Sequence, residues 1–91
     1  MQVLIAYDIT NDKRRRKVEK LLSSYGIRVN YSVFELTITK TQYKTILKEL
    51  LKQSSKKEDN IRIYHFNQAT IKNSFVLHSN KKVFEYEELY F

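Results

Sequence analysis

The chain has 91 residues, with one glycine and no proline, cysteine or tryptophan. A chain of this length supports a single core, and without cysteine it has no disulfides, thiolate metal sites or cysteine nucleophiles. Its net charge of +7 understates the basic body: residues 83–91 hold three acids and no base, which leaves +10 on the first 82 residues.

The chain opens on Val3-Leu-Ile-Ala-Tyr7, a continuous apolar run ending at Asp8. Its length and branched content predict a strand buried on both faces. No charged leader precedes this strand, and no stretch approaches the roughly 18 apolar residues of a membrane span, so neither a signal peptide nor a membrane segment is expected and a cytoplasmic address follows. Asn11 or Asp12 is placed to cap a helix. Val18, Leu21, Leu22 and Tyr25 then follow at helical spacing, and Gly26 falls where a helix end favours a left-handed residue.

Between Arg28 and Thr39, Val29, Tyr31 and Val33 share one parity and Phe34, Leu36 and Ile38 the other. A strand alternates strictly, so the change of phase near residues 32–34 predicts two strands joined by a tight turn or bulge. Thr39 and Gln42 have capping-box spacing. Tyr43, Ile46, Leu47, Leu50 and Leu51 form the stripe of a second helix, with Lys44, Lys48 and Lys52 on its outer face. A charged loop over residues 54–60 leads to an alternating strand at Ile61–Phe66. Phe75–His78 and Val83–Tyr86 read as two more short strands. The resulting order, β-α-β-β-α-β with a C-terminal extension, is that of an α+β ferredoxin-like sandwich. One domain over residues 1–91 is expected, with a core of about 1–67 and a strand extension of about 75–91.

The junction after the first strand is where chemistry concentrates. Asp8 is poorly placed for packing and well placed to hold a hard cation such as Mg²⁺ or Mn²⁺. One carboxylate does not complete a magnesium site, so a two-fold mate in a homodimer would supply the second. The alternative is an Asx turn or cap for the following loop. Lys13, Arg14, Arg15, Arg16 and Lys17 then load cations into the first helical turns, where the backbone dipole disfavours them. They form either a solvated face or, as favoured here, a site for nucleic-acid phosphates meeting guanidinium groups and backbone amides together. His65 and His78 fit packing or hydrogen bonding better than metal ligation. Tyr25, Tyr43 and Phe66 are expected in the core rather than stacked on bases.

Tyr7-Asp8-Ile9, Asn11-Asp12-Lys13-Arg14-Arg15, Tyr25-Gly26, Arg28-Val-Asn-Tyr-Ser-Val-Phe34 and Ile61-Arg-Ile-Tyr64 together resemble the CRISPR-associated protein two family, the small endonucleases of spacer acquisition, over about residues 1–66. The resemblance implies a cytoplasmic, ferredoxin-like homodimer that cleaves phosphodiester bonds of single-stranded RNA or duplex DNA with a divalent metal. It also implies a role as the central scaffold between integrase dimers. By motif, Asp8 becomes the metal-site carboxylate, paired across the dimer axis, with Tyr7 beside it. Arg15, Lys17, Arg28 and Phe34 fall at activity-supporting positions, and Arg14 and Arg16 on the helix that holds the DNA backbone. The strand at Val83–Tyr86 would add to the partner's sheet. Asn11 stands where an acid is common and Asn30 where glutamine is usual, with Asp12 partly restoring the local negative charge. The rival expectations are a DNA-binding scaffold of the same fold without cleavage and a toxin-like ribonuclease.

Overall fold

The computed structural model describes residues 1–85. Seven elements follow in order: β1 (Gln2–Asp8), α1 (Asp12–Ser23), β2 (Gly26–Asn30), β3 (Val33–Thr37), α2 (Lys40–Gln53), β4 (Asn60–Phe66) and α3 (Gln68–Lys72). The four strands form one antiparallel sheet in the order β2-β3-β1-β4. This is the expected ferredoxin-like arrangement, with β1 at the centre.

Along β1, alternate residues Val3, Ile5 and Tyr7 are buried, while Leu4 and Ala6 are only half-buried and Asp8 is exposed. The expectation of a strand buried on both faces is therefore corrected. Both long helices cover one face, and the pleat sends successive side chains to opposite sides. Val3 pairs with Leu36 and Ile5 with Phe34 across β3, and Val18 and Leu22 of α1 join Ile46 and Leu50 of α2 over them. Leu51, assigned to the α2 stripe by spacing, is exposed instead.

Local signals fix the helix ends. The Asn11 side chain accepts from the Arg14 amide at 2.9 Å and caps α1. Thr39 and Gln42 form the expected reciprocal capping box at 3.1 and 2.9 Å. The phase change between β2 and β3 takes two forms, a turn at Tyr31-Ser32 and a register shift between Arg28 and Asn30.

Gly26 does not end α1 in a left-handed conformation, since no glycine has positive φ. It begins β2, where a Cβ would lie 2.5 Å from the Glu35 carbonyl oxygen and 2.7 Å from Leu36 Cγ. Close approach of β3, not backbone freedom, requires glycine here.

The strands expected at residues 75–78 and 83–86 are not formed among the described residues; Tyr86 lies outside them. His78 and Phe84 adopt φ of 62° and 50°, a left-handed geometry that interrupts an extended strand. The Phe84 amide donates to Glu35 Oε1 at 2.8 Å, and its ring packs on Phe66 with centroids 5.1 Å apart. Phe66 therefore belongs to the face away from the helices rather than to the core. The short helix α3, capped by Asn67 and without a buried residue, has no counterpart in the sequence reading.

Gly26→Ala is expected to destabilise the fold by about 1–3 kcal/mol through overpacking. Urea denaturation checks this, and an unchanged midpoint would show that β2 and β3 separate without cost.

Candidate functional site

The alternation of β1 divides the end of the strand into two environments. Tyr7 points to the helix side, where its hydroxyl donates to Glu19 Oε2 at 2.7 Å and lies 3.1 Å from the Tyr31 carbonyl oxygen. Arg28 Nη2 donates to the same Glu19 oxygen at 2.8 Å. Arg28 Nε donates to the Tyr31 carbonyl at 3.1 Å, and Nη2 reaches that carbonyl as well. The Arg28 guanidinium carbon lies 6.0 Å from the Phe34 ring centroid, and Phe34 stacks near Tyr7 with centroids 6.3 Å apart. Burial, then the Glu19 hydrogen bond and charge, hold the Tyr7 hydroxyl far above the ordinary tyrosine range. Tyr7 thus stays protonated and serves as a hydrogen-bond donor, not a base.

Asp8 takes the other side. It is exposed, in register with Asn60 of β4, and takes part in none of the ion pairs among the described residues. Tyr7, Asp8, Arg15, Glu19, Arg28 and Tyr31 line one open cleft of about 500 Å³. The fold thereby brings together Tyr7, Asp8, Arg15 and Arg28, with Phe34 buried beneath Arg28. Glu19 and Tyr31 join them without having been singled out from sequence. Glu19 lies one helical turn beyond Arg15, a spacing that puts the two on one face of α1.

The cations of α1 divide by role. Arg15 Nη2 pairs with Asp12 at 2.6 Å, with side chains 37% and 73% exposed. Its Nη1 also reaches the Ile9 carbonyl at 3.4 Å. Arg14 turns away from the cleft and binds the α2–β4 loop: Nε donates to Asp59 at 2.9 Å and Nη2 to Glu58 at 2.7 Å. The Asp59 side chain is 1% exposed and also accepts from the Ser55 amide at 2.7 Å. Arg14, expected among the nucleic-acid-binding cations, has its guanidinium engaged by these two carboxylates while its side chain also lines the groove next to Lys13 and Lys17. Lys13, Arg16 and Lys17 remain exposed, and Lys13 and Lys17 line a groove with Lys20 and Lys52 between the two long helices. His65 Nε2 lies 3.0 Å from the Tyr43 hydroxyl with the rings edge-to-face, a packing role.

An oxygen donor with room for water suits Mg²⁺ or Mn²⁺, and Asp8 fits that description. Among the described residues no group of three His, Cys, Asp or Glu side chains gathers to hold a metal. No helix among the described residues is long and apolar enough to cross a membrane.

A family model described as "CRISPR associated protein Cas2" matches residues 1–74. A Synechocystis protein named CRISPR-associated endoribonuclease Cas2 3 is 44% identical over 68 residues, covering 75% of this chain and 74% of its own. The crystal structure of Streptococcus pyogenes Cas2 superposes with a TM-score of 0.75 at 34% identity, covering 85% of this chain and 99% of that one. A chain of a partial Cas6-RT-Cas1–Cas2 complex superposes with a TM-score of 0.67 at 40% identity, covering 87% and 92%.

The Arg14–Asp59 tie makes stability pH-dependent. Hydrogen bonds from Arg14, and secondarily from the Ser55 amide, hold the Asp59 carboxyl below the ordinary aspartate range against the opposing effect of burial. Its stabilisation is complete above the ordinary aspartate value near pH 4 and is lost as pH falls through the lower folded value. Asp59→Asn is expected to lower Tm at neutral pH and to flatten its acid dependence. Thermal melts from about pH 7 to about pH 3 check this; parallel curves for variant and wild type would contradict it.

Proposed function

The chain belongs to the CRISPR-associated Cas2 family, and from that membership we propose that it is a divalent-metal-dependent endonuclease of the spacer-acquisition machinery, working as a homodimer. The observation that carries this reading is the exposed Asp8 carboxylate at the end of β1, in one cleft with Arg15 and Arg28. Relatives named as endoribonucleases support phosphodiester cleavage. The neighbour taken from a Cas1–Cas2 complex supports association with a Cas1-type integrase subunit.

The charges of the cleft support a metal. Asp8 and Glu19 balance Arg15 and Arg28, and Asp12 adds a further negative charge beside Arg15. A phosphodiester entering this cleft is uncompensated. A divalent cation offsets its charge and, when bound, lowers the pKa of a coordinated water and polarises the phosphoryl oxygen. Asp8 would hold that cation together with Asp8 of a second copy, while substrate phosphate and water complete the shell.

The remaining residues have separable tasks. Arg15 is the phosphate clamp: its Asp12 pair is exposed, and such pairs contribute only about 0–1 kcal/mol, so the guanidinium exchanges readily onto phosphate. Arg28 is held by Glu19 and the Tyr31 carbonyl, and presents its charge from a fixed position. Phe34 lies beneath Arg28, and Tyr7 holds the Glu19 carboxylate that Arg28 binds. Lys17, with Lys13 and Arg16, supplies sequence-independent contacts to the strand backbone.

A second reading has its own support. Arg14, Arg15 and Arg28 are all ion-paired within the chain, whereas the lysines of the helical groove are not among those pairs, which suits a binding scaffold that does not cleave. One experiment separates the readings: labelled single-stranded RNA and duplex DNA are incubated with wild type and Asp8→Ala, with and without Mg²⁺. Cleavage is expected only with wild type and metal, falling by at least about 100-fold in the variant, while binding is retained. Equal cleavage by both proteins would refute the metal mechanism, and binding without cleavage by wild type would establish the scaffold.

A further inference from the structure

Tyr31 is 87% exposed, although both of its backbone polar groups are hydrogen-bonded. Its carbonyl oxygen receives Arg28 Nε at 3.1 Å and Arg28 Nη2, and the Tyr7 hydroxyl lies 3.1 Å from it. Its amide donates to Asn30 Oδ1 at 2.7 Å. A single exposed aromatic residue is ordinary on a protein surface. What separates Tyr31 is that a turn residue, free to move in most hairpins, is tied at both backbone groups and set at the rim of the cleft that holds Asp8, Arg15 and Arg28. Tyr31 also lines a shallow surface with Arg28 and Asn30, where Val29 adds a further exposed apolar side chain.

We propose that Tyr31 is a stacking platform for an unpaired nucleobase next to the phosphate in the Asp8 cleft, which makes this cleft selective for single-stranded nucleic acid over duplex. Every base offers a π face, so stacking tolerates any sequence. A paired base, its faces already covered by neighbours in the helix, does not reach the ring. Arg28 couples the two halves of the subsite, since one guanidinium both lines the phosphate cleft and locks the turn that carries the ring. The position of the stacked base beside the reacting phosphate rests on the proposed nuclease site; binding of the base to Tyr31 does not.

The chain has no tryptophan, so Tyr31→Trp introduces a single fluorescent reporter at an exposed position. Titrations without metal use ten-nucleotide single-stranded RNA, the same sequence as single-stranded DNA, a duplex of equal length, and an abasic strand carrying the same phosphates. Both single strands are expected to quench the emission, and the duplex and abasic strand to leave it nearly unchanged. Tyr31→Ala is expected to weaken single-strand binding by about 5- to 100-fold and Tyr31→Phe to preserve it, with duplex binding unaffected in both. Equal quenching by duplex and single strand would overturn the proposal. So would emission already blue-shifted in the free protein and insensitive to every ligand, which would show the ring covered by another copy. Because the readout needs neither metal nor cleavage, quenching without nuclease activity retains the base subsite and refutes the nuclease reading. Cleavage without quenching does the reverse.

Discussion

The two-residue period of β1 is the constraint on which the rest of the structure depends. As the central strand, it pairs with both β3 and β4, so its phase is fixed from two sides. Val3 and Ile5 must face the helices to bury their side chains, and a slip of one residue would turn the whole set outward. That phase sends Tyr7 inward and Asp8 outward. Tyr7 becomes the inner post of a network through Glu19, Arg28 and the Tyr31 carbonyl, while Asp8 is left exposed at the strand's end. Packing thereby places a hydrogen-bond donor that stays protonated next to a carboxylate with no ion-pair partner among the described residues.

The cations after Asp8 stand at the positive end of the α1 dipole, where they are unfavourable. The fold answers each differently. Arg14 is neutralised by Glu58 and Asp59, and Arg15 by Asp12. Arg14 and the Ser55 amide favour the charged form of the shielded Asp59 carboxylate, so Arg14 ties the α2–β4 loop to α1 and holds the turn leading into β4. The surface pair of Arg15 is weak by the same physics that makes the Arg14 pair firm. A row of similar basic residues thus divides into a structural tie, a weakly paired arginine at the cleft and an exposed basic surface.

Most of this fold was legible because its signals are local. The Asn11 cap, the Thr39–Gln42 capping box, the α1 stripe and the alternation of β4 each lie within a few residues. The failures are of another kind. Gly26 looked like a helix terminator because it follows Tyr25, yet its role comes from Glu35 and Leu36 on a neighbouring strand. Leu51 shares the spacing of buried neighbours, but it is turned one helical step away from the buried Leu50 and is exposed. Phe75–His78 has strand composition, but His78 takes a left-handed backbone that interrupts an extended run, and α3 is too short and too exposed to leave a periodic trace. At the site, Asp8 and Arg15 were visible from position and charge. Glu19 was not, because its partners Tyr7 and Arg28 come from two other elements, and Asp59 meets Arg14 across 45 residues.

The central claim is that one chain carries half of a catalytic site and that two Asp8 carboxylates act together. Mixing tests it most directly: wild type and Asp8→Ala are combined in equal amounts, exchanged to equilibrium, and assayed for Mg²⁺-dependent cleavage at fixed total protein. If both carboxylates are needed, random pairing leaves about a quarter of the dimers competent, and activity falls to that fraction of the undiluted wild type. Activity near one half would contradict the account, since each chain would then be working alone.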